Sequence, residues 1–275
     1  TATSGTICPN TTATFSCASQ SCPPVMVNIQ SPGSFCFGAG NSPVTLTGNI
    51  SGGAGNGVRT WSGPGIINAS TGVFHADTAG IGSHPIILSY VEGICTYTDT
   101  LTIVVHPVPT STFNAAPDTI CVNAASTITY TGTASAGATY TWNFGGGTAA
   151  PGTGQGPHTV NWATPGNKTI SLTVAENGCT STSTTHNVQV DAPLAAPVIT
   201  CGTATTTSVV FNWAAVSGAT GYIVNVLSGP TGTLSGTSYT VSGLMPGQQV
   251  EIEVVAQGNT VCGTSSATFT CAAAA

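Results

Sequence analysis

The sequence predicts an all-β protein made of several small sandwiches, and three observations support this prediction. No segment repeats apolar residues at the i, i+3, i+4 and i+7 positions of an amphipathic helix. Short runs that alternate apolar and polar residues recur instead, as strands with one buried face require. Clusters of Gly, Pro, Asn and Ser, which favour turns, separate these runs. We therefore expect a helix content close to nil.

The predicted strands are spread over most of the chain. They are rich in Thr, Val, Ile and aromatic residues, which suit a pleated sheet. Their lengths are those of ordinary strands. In chain order, the clearest runs cover residues 44–47, 101–105, 169–174, 209–213 and 250–255.

Proline-containing joints divide the chain into pieces of similar size. The joints lie at residues 23–24, 107–109 and 193–197. The pieces between them have about 80–85 residues, the size of one immunoglobulin-like sandwich. The prediction is three sandwiches that follow one another like beads on a string, after a short N-terminal segment. The predicted boundaries are 1–21, 22–107, 108–192 and 193–275.

The two ends of the chain are related in sequence. Residues 2–18 (ATSGTICPNTTATFSCA) match residues 256–272 (AQGNTVCGTSSATFTCA) at eight of 17 positions, at an offset of 254 residues. Convergence of Thr/Ser-rich strands is the alternative explanation. We interpret the match as slightly more than one period of a tandem array. Residues 1–18 are then expected to be ordered only beside the end of a neighbouring unit.

The charge composition excludes several classes of partner. The chain has two basic and eight acidic residues, so 4% of it is charged, where about a quarter is usual. Two basic residues cannot neutralise a nucleic-acid backbone or form a polybasic membrane patch. No apolar run approaches the ~20 residues of a membrane-spanning helix. We expect no nucleic-acid partner and no membrane insertion. We also expect a surface that consists of hydroxyl and amide groups, is covered by sugar, or is buried in an assembly.

Ten cysteines without metal-ligand spacing indicate disulfides, and hence an extracellular or cell-surface location. Cys36 and Cys95 are 59 residues apart, and Cys121 and Cys179 are 58 apart. In both pairs the first cysteine precedes a predicted strand and the second follows a Gly-containing turn. We predict that each pair forms a disulfide within its own sandwich. Free buried thiols are the alternative.

Residues 193–275 resemble a fibronectin type III domain. The matching segments are 209–213 (VVFNW), 221–226 (GYIVNV) and 238–247 (SYTVSGLMPG). The resemblance implies that Cys201 opens the first strand and that Cys262 lies in the loop between the last two strands. Both would then lie at one end of the sandwich, so we expect them to pair.

Residues 108–192 resemble a PKD-type domain, another sandwich. The resemblance rests on segments 140–147 (YTWNFGGG) and 165–174 (PGNKTISLTV). Asn143 and Gly146 stand where that family commonly has Asp. This difference removes the carboxylates that a calcium ion would need.

Residues 22–107 look similar to an Ig-like repeat of very large surface proteins of Bacteroidetes-type bacteria. The resemblance rests on segments 61–65 (WSGPG), 72–74 (GVF) and 79–82 (AGIG). All three resemblances imply spacer or adhesive modules of secreted proteins, although a fold alone does not fix a function.

The remaining cysteines are interpreted through the 254-residue offset. Cys17 corresponds to Cys271, and Cys22 follows Cys17 after five residues, so we predict a Cys17–Cys22 disulfide in the linker. Cys8 corresponds to Cys262 and would find its partner upstream. Cys271 would pair with a cysteine of a downstream unit.

Two kinds of motif suggest glycosylation. Three Asp-Thr-apolar triplets resemble the O-glycosylation motif of Bacteroidetes-type bacteria, which implies covalent sugar on Thr78, Thr100 or Thr119. Chance placement at strand ends is the alternative. Four N-x-[ST] sequons are also present, several of them expected by chance in a Thr-rich chain. They lie at Asn10, Asn49, Asn68 and Asn167.

The sequence offers little support for catalysis. The five histidines are scattered without metal-ligand spacing. Glu251 and Glu253 alternate on one predicted strand and share its solvated face. The four tryptophans fit sandwich cores better than a sugar-stacking platform. We expect no enzyme activity, no cofactor and no metal site.

The sequence thus predicts a structural protein, the repeat unit of an extracellular fibre or cell-surface stalk. Its partners would be neighbouring copies of the same repeat. One alternative is an adhesin or carbohydrate-binding module, which would need exposed aromatic residues or a group of Asp in its loops. Another is a non-catalytic spacer of a large secreted enzyme.

Overall fold

A computed structural model describes residues 21–38 and 40–275 of the chain. It confirms the predicted fold class, because almost all of the regular structure is β and the sheets form sandwiches in tandem. Within the described residues, the helix content is limited to one turn, α1, over Ala76–Ala79.

The first sandwich has nine strands in three sheets. The sheet orders are β1-β4, β2-β9-β8-β5 and β3-β7-β6. Trp61, Phe74, Ile86 and Leu88 lie in its core. The strands are β1 (Val25–Ile29), β2 (Phe35–Phe37), β3 (Val44–Thr45), β4 (Gly48–Gly52), β5 (Val58–Ser62), β6 (Ile66–Asn68), β7 (Val73–Phe74), β8 (Gly82–Glu92) and β9 (Cys95–Pro107).

The middle sandwich also has nine strands. Its sheet orders are β10-β12-β15-β14 and β11-β18-β16-β13, and β17 pairs with β16. Ile128, Trp162, Leu172 and Val188 are fully or almost fully buried in it. The strands are β10 (Phe113–Ala116), β11 (Thr119–Cys121), β12 (Ala125–Tyr130), β13 (Thr139–Asn143), β14 (Thr148–Ala150), β15 (His158–Asn161), β16 (Gly166–Glu176), β17 (Cys179–Thr180) and β18 (Thr184–Asp191).

The last sandwich has seven strands in two sheets, β19-β20-β23-β22 and β21-β24-β25. Its core is formed by alternate residues of facing strands, such as Phe211, Trp213, Val250 and Ile252. The strands are β19 (Ile199–Thr205), β20 (Ser208–Trp213), β21 (Ala219–Ser228), β22 (Thr233–Ser235), β23 (Ser238–Ser242), β24 (Gln249–Gly258) and β25 (Ser265–Ala272).

The described chain forms two compact units. Unit 1 holds the first sandwich together with one end of the middle sandwich, and unit 2 holds the rest of the middle sandwich and the last sandwich. The ranges are 21–111, 132–140 and 173–183 for unit 1, and 112–131, 141–172 and 184–275 for unit 2.

Candidate functional site

Each sandwich has one cysteine in, or directly after, the turn that precedes one of its later strands. These strands are β9, β17 and β25. Cys95 begins β9 opposite Glu92 of β8. Cys179 begins β17 opposite Glu176 of β16. Cys262 lies in the turn between β24 and β25. We call this end of each sandwich its hairpin end, and the opposite end its far end.

Two further cysteines lie at far ends. Cys36 on β2 is opposite His106 of β9 in a parallel pair. Cys121 on β11 is opposite Asp191 of β18, also in a parallel pair. Since His106 and Asp191 are among the last residues of their strands, both cysteines lie where the sandwich finishes.

Disulfides connect far ends to hairpin ends. In unit 1, Cys36 of the first sandwich bonds to Cys179 of the middle sandwich, with Cα atoms 5.6 Å apart. In unit 2, Cys121 of the middle sandwich bonds to Cys262 of the last one, with Cα atoms 5.1 Å apart. Consecutive sandwiches are therefore joined covalently as well as through the main chain.

Among the described residues, two further disulfides hold the start of the first sandwich and the end of the last sandwich. Cys22 bonds to Cys95 at a Cα separation of 5.6 Å. Cys201 bonds to Cys271 at 5.7 Å. The hairpin cysteine of all three sandwiches thus bonds to a cysteine that precedes the sandwich in the chain.

The predicted pairings within the first two sandwiches are wrong. Cys95 begins β9, whereas Cys36 is beside His106, eleven residues further along that strand. Eleven extended residues span about 36 Å, and a disulfide needs Cα atoms within about 7 Å. Cys121 and Cys179 likewise lie at opposite ends of the middle sandwich, so they cannot pair either.

The predicted Cys201–Cys262 pair is also wrong. Cys201 lies beside Thr270, its Sγ 3.8 Å from the carbonyl oxygen, where β25 ends. Cys262 precedes β25, whose eight residues span about 25 Å. Cys271 is consequently used inside the chain and not in a downstream unit.

The predicted Cys17–Cys22 linker disulfide is excluded because Cys22 bonds to Cys95. Cys8 and Cys17 lie outside the described residues, as does the whole segment 1–18 that we expected to be ordered beside a neighbouring unit.

A glutamate fixes the hairpin end of the first two sandwiches. The Glu92 carboxylate accepts hydrogen bonds from the backbone N–H of Ala54 at 3.0 Å and of Asn56 at 3.3 Å. The Ala54 N–H above all holds the pKa of Glu92 below its usual range, and burial opposes this effect. The loop that faces the hairpin is therefore held by charge-assisted hydrogen bonds.

The middle sandwich repeats this arrangement. Glu176 accepts hydrogen bonds from the hydroxyl and the backbone N–H of Ser135. These two donors lower the pKa of Glu176, with the hydroxyl as the larger cause. Sequence reasoning missed both glutamates, although each stands three residues before its hairpin cysteine and this E-x-x-C spacing was visible.

A cavity adjoins each of these glutamates. The one beside Glu92 has a volume of about 720 Å³. The one beside Glu176 has a volume of about 360 Å³. The first is lined by Pro23, Pro24, Gly53, Ala54 and Ile94, among others, and the second by Ser135, Thr139, Asn177 and Gly178.

The candidate glycosylation residues lie at the surface where the structure describes them. Thr78 and Thr100 are exposed, and Thr119 is half-buried. The aspartates before Thr78 and Thr100 also have structural roles, since Asp77 accepts from the Gly38 N–H and Asp99 from the Ile29 N–H, both at 2.7 Å. Asn49, Asn68 and Asn167 are exposed, and Asn10 lies outside the described residues.

The tryptophans belong mainly to the cores, as predicted. Trp61, Trp162 and Trp213 are at most 5% exposed, and Trp142 is half-buried. Over residues 21–38 and 40–275, three or more His, Cys, Asp or Glu side chains do not come together as a possible metal site. The same residues contain no helix with the length and apolar character needed to cross a membrane.

Comparison with known proteins gives a fold and no closer relationship. No protein-family model matches the chain, and no curated protein matches it. The I-band fragment I67–I69 of titin is similar in structure, with a TM-score of 0.52 and 10% identity over 90% of this chain and 98% of that one. The N-terminal eight Ig domains of the Down Syndrome Cell Adhesion Molecule give a TM-score of 0.51 and 11% identity.

The second comparison covers 90% of this chain and 36% of that protein fragment, so the chain spans about a third of it. Both similar structures consist of Ig-type domains in tandem, and at such low identity they establish the fold alone. Tandem Ig-like domains, together with the four disulfides within residues 21–38 and 40–275, fit an extracellular domain of structural or adhesion type.

Proposed function

We propose that the chain is the repeat unit of an extracellular fibre or cell-surface stalk, in which copies follow one another. The observation that carries the proposal is the pair of disulfides between consecutive sandwiches, Cys36–Cys179 and Cys121–Cys262. An enzyme or a ligand-binding module does not require its neighbouring domains to be fastened in this way. A protein that transmits force along its length benefits directly from covalent bonds between its neighbouring domains.

The positions of these bonds are suited to limiting motion between neighbouring sandwiches. Each one reaches from the far end of one sandwich to the hairpin end of the next. The bond limits how far the two ends can separate, so bending that would open the joint at the disulfide is resisted even when the contacts around it are weak. The low charge, 4% of residues, adds no repulsion between adjacent copies or adjacent fibres.

The correspondence between residues 2–18 and 256–272 supports repetition. It indicates a period of 254 residues, in which the sequence of the last sandwich stands directly before the first sandwich of the following copy.

The adhesin alternative has one observation in its favour. Trp142 and Phe144 are half-buried and stack at a ring-centroid distance of 5.5 Å, as in a sugar-binding platform. However, the Trp142 Nε1–H donates to the Gly154 carbonyl at 2.9 Å, and its ring packs edge-on against Phe113 and His158. These contacts favour an internal packing role for the pair.

Electron cryomicroscopy of the native material, together with the sequence of the parent protein, tests the proposal. We expect filaments whose density accommodates this sequence with a 254-residue period. A parent protein with one copy of the repeat beside a catalytic domain would contradict the proposal and favour the spacer alternative.

A further inference from the structure

The hairpin ends of the first and middle sandwiches are built alike. In each, a glutamate opposite the hairpin cysteine accepts hydrogen bonds from a facing loop, Glu92 from Ala54 and Glu176 from Ser135. In each, a cavity adjoins the glutamate. Two surfaces with the same construction are expected to serve the same purpose.

In the middle sandwich, this surface adjoins the sandwich before it. Within unit 1, Cys179 is fully buried and bonds to Cys36 of the first sandwich. A Cβ placed on the neighbouring Gly178 would lie 3.7 Å from the Ser34 hydroxyl oxygen, within van der Waals contact of that side chain. The hairpin end of the middle sandwich is therefore a contact surface for the far end of the first sandwich.

In the first sandwich, the same surface is apolar and exposed. Ile94 in the turn is 54% exposed, Val91 is 40% exposed and Val58, paired with Val91, is 67% exposed. Apolar side chains grouped at one end of a sandwich are typical of a contact surface.

We infer that this hairpin end, formed by residues 91–95, Pro23, Pro24 and the Gly53–Ala54 turn, is the docking surface for the far end of the last sandwich of a preceding copy. The inference rests on the proposed function, because it assumes that copies follow one another with a 254-residue period. In that register, residue 275 of one copy is followed directly by residue 22 of the next.

The short connection between two copies supports the far end of the last sandwich as the surface that docks here. The Ala274 N–H donates to the Thr205 carbonyl at 2.8 Å, so the chain is still held by the last sandwich at that point. Only two residue steps separate Ala274 from the following Cys22, which limits their distance to about 7 Å. Cys22 in turn is bonded to Cys95, with Cα atoms 5.6 Å apart. The far end of the last sandwich must lie next to this hairpin.

The two surfaces also match in chemistry. The far end of the last sandwich carries the Met245 turn, in which the Met245 side chain is 73% exposed. Its backbone is fixed by hydrogen bonds from Gly247 N–H to Ala274 and from Ala273 N–H to Gln248, at 3.1 and 2.9 Å. A flexible, apolar Met side chain suits contact with Ile94 and Val91.

A two-copy protein tests the inference. Residues 1–275 are followed directly by residues 22–275 of a second copy, and a Thr96→Ser change in the upstream copy distinguishes the two hairpin peptides by mass. We expect amide hydrogen exchange at residues 91–95 of the downstream copy to be about tenfold slower than in the single chain.

An Ile94→Asp change in the downstream copy, or Met245→Asp in the upstream copy, should abolish this protection. Leu227→Asp is the matched control, because Leu227 is 53% exposed on the outer face of β21. Equal exchange rates in the single chain and in the two-copy protein would overturn the docking surface. Native material without repeated copies would contradict the proposed function instead, so the two failures are distinguishable.

Discussion

Trp162 shows how little space surrounds a core residue in the middle sandwich. The indole is 1% exposed, and its Nε1–H donates to the Phe144 carbonyl at 2.9 Å. A Cβ on Gly147 would lie 2.6 Å from both the Trp162 Nε1 and the Val160 Cγ1. The glycine is required here because the Trp162 ring and the Val160 side chain leave no room for a Cβ at residue 147.

Gly147→Ala is therefore expected to destabilise the protein by about 1–3 kcal/mol, the usual cost of overpacking a core. Thermal unfolding followed by circular dichroism measures the effect. The control is Gly137→Ala, where the nearest atom to the new Cβ is 3.8 Å away and no loss is expected. Equal melting temperatures for the two variants would show that the Trp162 site has more room than its contacts indicate.

Glu92 makes the stability of the hairpin end dependent on pH. The hydrogen bond from Ala54, followed by those from Asn56 and Tyr90, keeps the pKa of Glu92 below its usual range in the folded protein. A group with a depressed folded-state pKa stabilises the native state above its ordinary value of about 4.3. That contribution is lost as the pH falls through the lower, folded-state pKa.

We expect hydrogen exchange at residues 54–56 to accelerate relative to the intrinsic rate as the pH falls below the ordinary glutamate pKa of about 4.3 and through the lower, folded-state pKa. Glu92→Gln should weaken protection at pH 7 and flatten this dependence, since a neutral amide accepts more weakly than a carboxylate. Glu251→Gln, which makes the same change of charge on the outer face of β24, is the control. An unchanged pH profile in Glu92→Gln would refute this role of the carboxylate.

At the level of strands, the period of two in the sequence was sufficient to predict the fold class. In β20, Val209, Phe211 and Trp213 are buried, as the alternation of that segment indicates. Glu253 in β24 faces the other way and accepts a hydrogen bond from the Asn225 side chain at 3.0 Å. Alternation is a local property, so the sequence contains it directly.

The disulfide partners could not be predicted in the same way. Spacings of 58 and 59 residues say how far apart two cysteines are along the chain, but not at which end of a sandwich each one lies. That depends on the parallel pairing of β2 with β9 and of β11 with β18, which joins residues about 70 positions apart. Such long-range pairing has no local signal in the sequence.

Removal of the Cys36–Cys179 disulfide should loosen a connection while leaving the sandwiches folded. In the chain-entropy model, the 143-residue separation corresponds to roughly 5 kcal/mol, and the 70 residues between Cys201 and Cys271 to roughly 4 kcal/mol. Removal of the two disulfides should nevertheless affect different properties. Cys36 and Cys179 belong to different sandwiches, whereas Cys201 and Cys271 both belong to the last one.

We expect the double variant Cys36→Ala/Cys179→Ala to be cut faster by a protease of broad specificity within residues 107–112, with little change in far-ultraviolet circular dichroism. Cys201→Ala/Cys271→Ala, as the matched control, should lower the melting temperature of the last sandwich and leave the rate of that cleavage unchanged. Cleavage at equal rates in both variants would contradict the fastening role of Cys36–Cys179.

For the whole molecule, the scarcity of charge is consistent with a surface that is covered in part by sugar. Thr78 and Thr100 are exposed, and each follows an aspartate within a triplet that suggests O-glycosylation. We expect mass spectrometry of the native material to find sugar on at least one of Thr78, Thr100 and Thr119. If the peptides that contain these three threonines have the mass of the unmodified sequence, covalent sugar at these sites does not cover the weakly charged surface.

The same scarcity of charge predicts how an assembly of this chain responds to its solvent. Salt acts mainly by screening charges over about 10 Å at 0.1 M, and a chain with ten charged residues has little to screen. Disulfides between consecutive sandwiches are unaffected by salt and are broken by thiols. If the chain forms the proposed filaments, we expect them to keep their stiffness, measured as persistence length in electron micrographs, between about 0.01 and 1 M NaCl. A thiol reductant at constant salt should make them markedly more flexible without dissolving them, because the sandwich cores remain. Filaments that soften with salt and do not respond to the reductant would indicate that charge contacts, and not the Cys36–Cys179 and Cys121–Cys262 bonds, determine their stiffness.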